Sequence, residues 1–480
     1  MYDHSKQYRC AIIRGKSKKE MDDLLPVYAK IINEICPCRT KEFDARFNSA
    51  FQCFLPESKR TKKTLKNHRT EISGKLFGMY YRSDDGMVYE SQRTVKYLED
   101  NDQPAFFKDV CFKMQFPSGM DTSYKLRDKI SKKINVKPNA FVLKLLQLAR
   151  IANERITVKD IGYYVLNSLD VLQGKANPYE VLEAIANDHK AEVHRVIKAF
   201  DEKNGKPKAT SFNMQHIREQ LNYLELANLI RVTDDKRVVL NPKEEDTINL
   251  FTKDFDKAPD FNVYSYNLEL LEGRKKFQYD WDSYYARLSA YASKFSTNPD
   301  ALVFNENDDK LEEKKTKKQG INLTEFGDEG EALVFAYEKE RVSAFNVRLV
   351  NKVLSLGKIK GIGYDIQSVI AEPGDEAEFV KYIEVKSTKR FTCPDITDPF
   401  WLDTLNVTRN EYIAAQQYKG YYCIYRVFFT RYGVSGFVIN DVADKIKDGR
   451  IQCTPIRYRF DYSSNSVDSV ITLKGAKVNV

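Results

Sequence analysis

Asp365, Glu384 and Lys386 are the residues of this 480-residue chain whose types and spacing can do chemistry. Glu384 and Lys386 stand two apart in Phe379-Val-Lys-Tyr-Ile-Glu-Val-Lys-Ser387, a run that alternates as a strand. Alternation sends Tyr382, Glu384 and Lys386 to one face and Lys381, Ile383, Val385 and Ser387 to the other. Gly361-Ile-Gly-Tyr-Asp-Ile-Gln-Ser-Val-Ile370 reads as the preceding strand, with Asp365 inside it, and Ala371-Glu-Pro-Gly-Asp-Glu as the turn between the two. The hairpin then brings Asp365 to the carboxylate of Glu384. Asp365, Glu384 and the backbone carbonyl of Val385 make a hard oxygen site suited to Mg²⁺. Such an ion acidifies a water and stabilises charge on a scissile phosphate. Lys386 would orient that water and offset phosphate charge. An E-x-K pair alone is common on strands as a solvated salt bridge. Here it is joined by an aspartate in a Gly-x-Gly-x-Asp strand, by a following helix, and by an upstream helix with Glu331 in its first turn. At Glu331 the helix dipole favours a carboxylate whatever its role.

The elements that must position these residues are legible around them. Residues 321–350 open on an acidic Gly-flanked turn and run into a long helix. Thr408 to Tyr418 reads as a helix whose Thr408 and Glu411 match a capping box, which accounts for Glu411 without a catalytic role. Tyr421 to Phe429 is apolar on both sides, as a central strand is. These elements make an α/β domain with a mixed sheet. Upstream, the patterns are mainly helical: 19–35, a basic amphipathic stretch over 57–79 that carries Lys62, Lys63, Lys66 and Arg69, and 138–151. Asp84-Asp85-Gly86 marks a turn between two short strands. Asn213 to Ala227 reads as a helix, followed by a strand, an Asp234-Asp235-Lys236 turn and a second strand, the ending of a winged helix. In that module the helix before the hairpin commonly enters the major groove, where exposed Gln215, His216, Arg218 and Asn222 would reach bases or phosphates. Residues 305–320, nearly devoid of apolar side chains and dense in mixed charge, read as a linker. The expected division is 1–135, a DNA-recognition region; 136–304, a winged-helix region; the linker 305–320; and 321–480, the α/β domain.

Charge supports that division. Residues 321–480 hold 21 basic and 21 acidic residues and 305–320 five of each, so the whole net charge of +9 lies in residues 1–304. A basic part joined to a neutral one suits a polyanionic partner for the first. No stretch has the length and apolarity of a membrane span, and the first residues lack the apolar core of a secretory signal, so a cytoplasmic protein is expected. The eight cysteines have irregular spacing that fits reduced thiols and argues against a zinc site. No histidine lies beyond His216, so chemistry in the last domain proceeds without one.

Gly330-Glu331, Tyr337-Glu338, Gly363-Tyr-Asp-Ile-x-Ser368, Tyr382-Ile-Glu-Val-Lys-Ser-Thr388, Asn410-Glu411 and Tyr425-Arg-Val427 resemble the No Vein C-terminal-type domain, a branch of the PD-(D/E)xK, restriction-endonuclease-like nucleases. That resemblance implies a catalytic core of Asp365, Glu384 and Lys386, with Glu331 as an additional helix carboxylate; Tyr364 stands where the family name has proline. Lys66 to Gly78, Phe112 to Gly119 and the winged-helix ending resemble the recognition half of type IIS restriction enzymes of the AlwI and FokI kind. The resemblances imply a Mg²⁺-dependent, site-specific endonuclease of double-stranded DNA, type II and of type IIS layout. The basic part would bind DNA and two nuclease domains would come together to cut both strands. A companion DNA methyltransferase would protect the host. Two alternatives stay open: a modification-dependent or other phage-defence nuclease, and a non-catalytic DNA-binding protein with a degenerate nuclease fold.

Overall fold

The computed structural model describes residues 2–9, 12–13, 15–196, 202–203, 206–207, 210–253, 255–303, 329–359, 361–370, 379–455 and 459–473. The expected linker 305–320 and the turn after Ile370 lie outside them.

The N-terminal part is built from helices, as its 3.6-residue periodicity predicts. Lys18–Ile35 begins at a capping box between Ser17 and Glu20 and buries Met21, Leu25, Tyr28 and Ile32, spaced three and four apart. Pro138–Ile151 matches the expected helix at both ends, opened by a proline whose missing N–H costs nothing in a first turn. The basic stretch forms Lys62–Lys66 and runs on as a wider-wound helix, Asn67–Leu76. Tyr80–Arg82 and Met87–Glu90 pair across the predicted turn, where Gly86 takes the left-handed conformation (φ 80°). Thr210–Leu226, Ile230–Val232 and Val238–Leu240 follow in the predicted order of helix, strand, turn, strand. The main apolar core runs from Met21 to Phe295 and draws on both segments expected to divide at 135/136.

The C-terminal part is a mixed six-stranded sheet, as expected. Its order is Ser469–Thr472, Gly433–Asn440, Tyr422–Thr430, Phe379–Lys389, Ile366–Ile370 and Leu354–Ser355. Only Phe379–Lys389 and Tyr422–Thr430 run parallel among the pairs in this sheet. Tyr422–Thr430 is buried at every residue, as its unbroken apolar run requires. Asp365 lies one residue before its strand rather than inside it, because pairing starts at Ile366 opposite Ile383. The alternation of the Glu384 strand holds: Ile383 and Val385 enter the core shared with Leu333 and Val334 of the Glu329–Phe345 helix, whereas Tyr382 packs with Ala414 and Ala415 of the Arg409–Tyr418 helix.

Glu338 locks the first of these helices to the sheet. Its fully buried carboxylate accepts from Ser368 Oγ (2.6 Å), Tyr425 OH (2.6 Å) and Arg341 (2.8 and 3.1 Å), with Lys381 Nζ at 3.6 Å. Burial pushes this carboxyl up, but the Lys381 charge and the Arg341 and Ser368 bonds outweigh burial and hold it at about 2.

The two parts are seated on one another through polar contacts and through Leu302, which is buried in the core of the sheet. Thr392 N and Oγ1 donate to Asp22 (2.6 and 2.7 Å), and Arg390 donates to Asp23 (2.5 Å). Thr388 Oγ1 and Lys389 N donate to the carbonyl of Asn101 (2.7 and 3.1 Å), and Lys30 pairs with Asp461. Phe391, from just beyond the Glu384 strand, enters the N-terminal core.

Replacing Glu338 by Gln should cost about 3–5 kcal/mol, because Arg341 and Lys381 would keep buried charge without their partner. Urea unfolding of the full chain measures this. The folded carboxyl sits at about 2 against an ordinary 4.5, so its contribution is complete above 4.5 and is lost as pH falls toward 2. Stability of the wild type relative to Glu338→Gln should therefore shrink across that window and stay constant above it.

Candidate active site

The backbone places Asp365 against the Glu384 strand. Asp365 N donates to the carbonyl of Ile383 (2.9 Å), and Val385 N donates back to Asp365 Oδ2 (2.8 Å). The N–H and C=O of one strand residue point to the same side, so the Val385 carbonyl leaves the strand on the edge that faces Asp365. Gly363 allows this approach. It takes a left-handed conformation (φ +82°), and a Cβ there would lie 2.4 Å from the carbonyl oxygen of Asn410, so only a glycine lets the loop pass the Arg409–Tyr418 helix.

Glu384 is 3% exposed. Burial, with the charges of Asp365 and Glu411 added, pushes its carboxyl well up, against the pull of Lys386. Lys386 Nζ lies 2.6 Å from Glu384 Oε1 and 2.8 Å from Glu411 Oε2. Glu411 therefore does two things. It closes the expected capping box with Thr408, and the same carboxylate holds the lysine. Spacing revealed the cap but not the second contact, which depends on the helix crossing the face of the sheet. From the neighbouring parallel strand, buried Arg426 donates to the carbonyl of Lys386 (3.2 Å) and to Asp403 (2.7 Å), and Tyr462 OH also donates to Asp403 (2.8 Å).

Glu331 arrives from the Glu329–Phe345 helix. A Cβ built on Gly357 would lie 2.8 Å from Glu331 Oε2 and 3.2 Å from Asp365 Oδ1, so these two carboxylates line one small cradle beside a residue without a side chain. Asp365, Glu384, Lys386 and Glu331 are thus gathered at one end of the sheet. Glu338 and Glu411, the further acidic residues that shape the site, stand in the family blocks Tyr337-Glu338 and Asn410-Glu411 of the sequence, which was the available signal for them.

Among the described residues no group of three or more His, Cys, Asp or Glu side chains is arranged to hold a metal by itself. The donor set of two carboxylates and one carbonyl still fits Mg²⁺, which keeps several waters and takes one or two protein carboxylates. Burial first, and then the charges of Asp365 and Glu411, push Glu384 up, and a cation beside it would offset both.

The residues expected to contact DNA are placed less uniformly. Lys62, Lys63 and Lys66 are exposed along one helix. Gln215 and Arg218 are exposed, and Gln215 lines a cleft of about 400 Å³ together with Asn67, Lys16, Lys125 and Lys129. Two expectations need correction. His216 is buried at 6% exposure, because the Thr210–Leu226 helix is packed on more than one side and His216 shares a packed side with Ile217 and Gln220. Arg69 is buried and donates to Asp44 (2.7 Å) and Asn48 (2.7 Å), so its guanidinium is committed within the fold. Among the described residues no helix is long and apolar enough to cross a membrane, and the cysteines described are free thiols.

No curated protein matches the chain. Among solved structures, it is similar to the BpuJ1 endonuclease binding domain, determined in complex with pyrene- and phenanthrene-modified DNA. The two are 49% identical, with a TM-score of 0.56, over 60% of this chain and 100% of that one. Residues 330–435 match the family model for the C-terminal region of the protein NO VEIN. Residues 2–282, more than half of the chain, match the model for the N-terminal region of the restriction endonuclease BpuJI, and the chain belongs to that family.

Proposed function

We propose that the chain is a Mg²⁺-dependent, site-specific endonuclease of double-stranded DNA, with its recognition half in residues 2–282 and its cutting half in the six-stranded domain. The observation that carries the cutting reading is the convergence of Asp365, just before one strand, with Glu384 and Lys386 of its neighbour, and with Glu331 entering from a helix. The DNA-binding reading rests on the similarity to a binding domain determined with DNA and on the basic excess of residues 1–304.

Asp365, Glu384 and the Val385 carbonyl would hold the ion, which supplies an acidified water and charge neutralisation at the phosphate. Lys386, kept in place by Glu384 and Glu411, presents its ammonium to the charge that develops on the phosphate oxygens. The Arg426 contact to its carbonyl fixes the backbone from which it projects. Glu331 adds negative charge to the ion site at the Asp365 side. In the recognition half, Lys62, Lys63 and Lys66 would meet phosphates, and Gln215 and Arg218 project from the helix that precedes the Ile230–Leu240 hairpin, in the winged-helix manner. One such site cuts one strand, so cutting both requires two chains on the DNA. A host carrying the enzyme would need a companion methyltransferase.

Purified chain with Mg²⁺ should cut unmodified plasmid into discrete fragments. Lys386→Met should lower the cleavage rate by about 10²-fold or more while leaving DNA affinity unchanged. Rapid cutting by that variant would overturn the active-site reading, and cutting confined to methylated DNA would favour a modification-dependent nuclease. Gly357→Ala places a methyl in the Glu331–Asp365 cradle at a residue outside the left-handed conformation, so the flexible Glu331 carboxylate should yield. The expected result is a melting temperature close to wild type with a raised Mg²⁺ requirement. Replacing Lys62, Lys63 and Lys66 by Ala should make log Kd depend less steeply on log salt, by up to roughly 0.9 for each phosphate that these lysines neutralise. An unchanged slope would remove that helix from the DNA interface.

A further inference from the structure

We propose that Tyr364, Tyr382 and Tyr418 form a contact site for the backbone phosphate next to the one that is cut; this rests on the nuclease reading above.

The three rings come from three different elements: the loop that carries Asp365, the strand that carries Glu384 and Lys386, and the end of the helix that carries Glu411. Tyr382 and Tyr418 lie face to face with centroids 3.8 Å apart at 24°. Tyr364 stands across both, 4.8 Å from Tyr382 at 60° and 5.9 Å from Tyr418 at 83°. All three are partly exposed, resting on the core beneath the Arg409–Tyr418 helix. Tyr382 and Glu384 leave the same face of one strand two residues apart, about 7 Å at the rise of a strand. A nucleic acid strand whose scissile phosphate meets Glu384 and that runs along this face toward Tyr382 would pass the phenols with its neighbouring nucleotide.

The hydroxyls separate these tyrosines from the structural ones nearby. Tyr422 OH donates to Gly363 O (3.2 Å), Tyr425 OH to Glu338 (2.6 Å) and Tyr462 OH to Asp403 (2.8 Å). Among the described residues the hydroxyls of Tyr364, Tyr382 and Tyr418 have no such partner. Tyr382 and Tyr418 spend their facing surfaces on each other. What the cluster offers a ligand is a set of O–H donors, the chemistry that meets phosphate oxygen.

The test uses the full chain with Mg²⁺ and a short duplex containing its cleavage site. One set of duplexes carries a single uncharged methylphosphonate at each linkage in turn; a second set carries a single abasic residue at each nucleotide in turn. Wild type should be slowed by a methylphosphonate at the linkage adjacent to the cut. The double variant Tyr382→Phe/Tyr418→Phe keeps the rings and their packing. It should raise KM roughly tenfold with kcat nearly unchanged, about the worth of one charge-assisted hydrogen bond, and should no longer sense that linkage. An unchanged KM, or unchanged sensitivity to the methylphosphonate, overturns the proposal. Sensitivity to the abasic residue instead would mean that the rings stack on a base, which also overturns it. If wild type cuts no duplex, the nuclease reading fails on its own. The affinities of wild type and the double variant for the same duplexes then decide the tyrosine site: a weaker variant supports it and equal affinities overturn it.

Discussion

The packing of the C-terminal sheet against its long helix depends on one buried carboxylate. Glu338 reaches three strands at once, through Ser368, Lys381 and Tyr425, and binds Arg341 one turn along its own helix. Arg341 in turn donates to the carbonyl of Val369. A helix packed on a sheet by apolar contacts alone can slide by part of a turn at small cost, because dispersion and burial are non-directional. Hydrogen bonds to a fixed carboxylate cannot be re-made after such a slide, and leaving that charge unpaired in the interior costs several kcal/mol. Glu331 sits seven residues earlier on the same helix, so locking Glu338 sets the position from which Glu331 reaches the Asp365 side of the site.

The opposite face follows a different logic. There the charges are crowded: Glu384 is buried near Asp365 and Glu411, and a single ammonium, Lys386, lies between two of these carboxylates. Below the sheet, Glu338 has its full complement of donors and its carboxyl is held low. Above it, Glu384 is pushed up. Two buried glutamates in one small domain are thus driven in opposite directions, one satisfied by the fold and one desolvated beside two other carboxylates.

The seating of the two parts joins the Glu384 strand to the rest of the molecule. Thr388 and Lys389 close that strand and Arg390 and Phe391 follow it, and they meet Asn101, Asp23 and the N-terminal core. The helix that carries Asp22, Asp23 and Lys30 thereby contacts both the end of this strand and Asp461. The contact joins ionic and hydrogen-bonded pairs to an apolar exchange, with Phe391 in the N-terminal core and Leu302 in the core of the sheet.

Local pattern determined much of this protein. The strand alternation that separates Glu384 and Lys386 from Val385, the central strand before Phe429, the helix over 138–151 with its proline start, and the Thr408–Glu411 cap are all decided by period and by the needs of helix ends, which neighbouring residues set. The pairing of Asp365 with the Glu384 strand was also legible, because a hairpin has few registers once one face is buried. Other features were decided by tertiary structure, where residues far apart in sequence meet. Arg69 looked like a free cation in a basic stretch until Asp44 and Asn48 enclosed it, and His216 looked exposed until the packing of its helix buried it. Glu411 gained its hold on Lys386, and Tyr364, Tyr382 and Tyr418 came together, because a loop, a strand and a helix cross at one point. Sequence spacing carries the direction of a side chain within its own element, whereas what stands opposite it depends on how the elements pack.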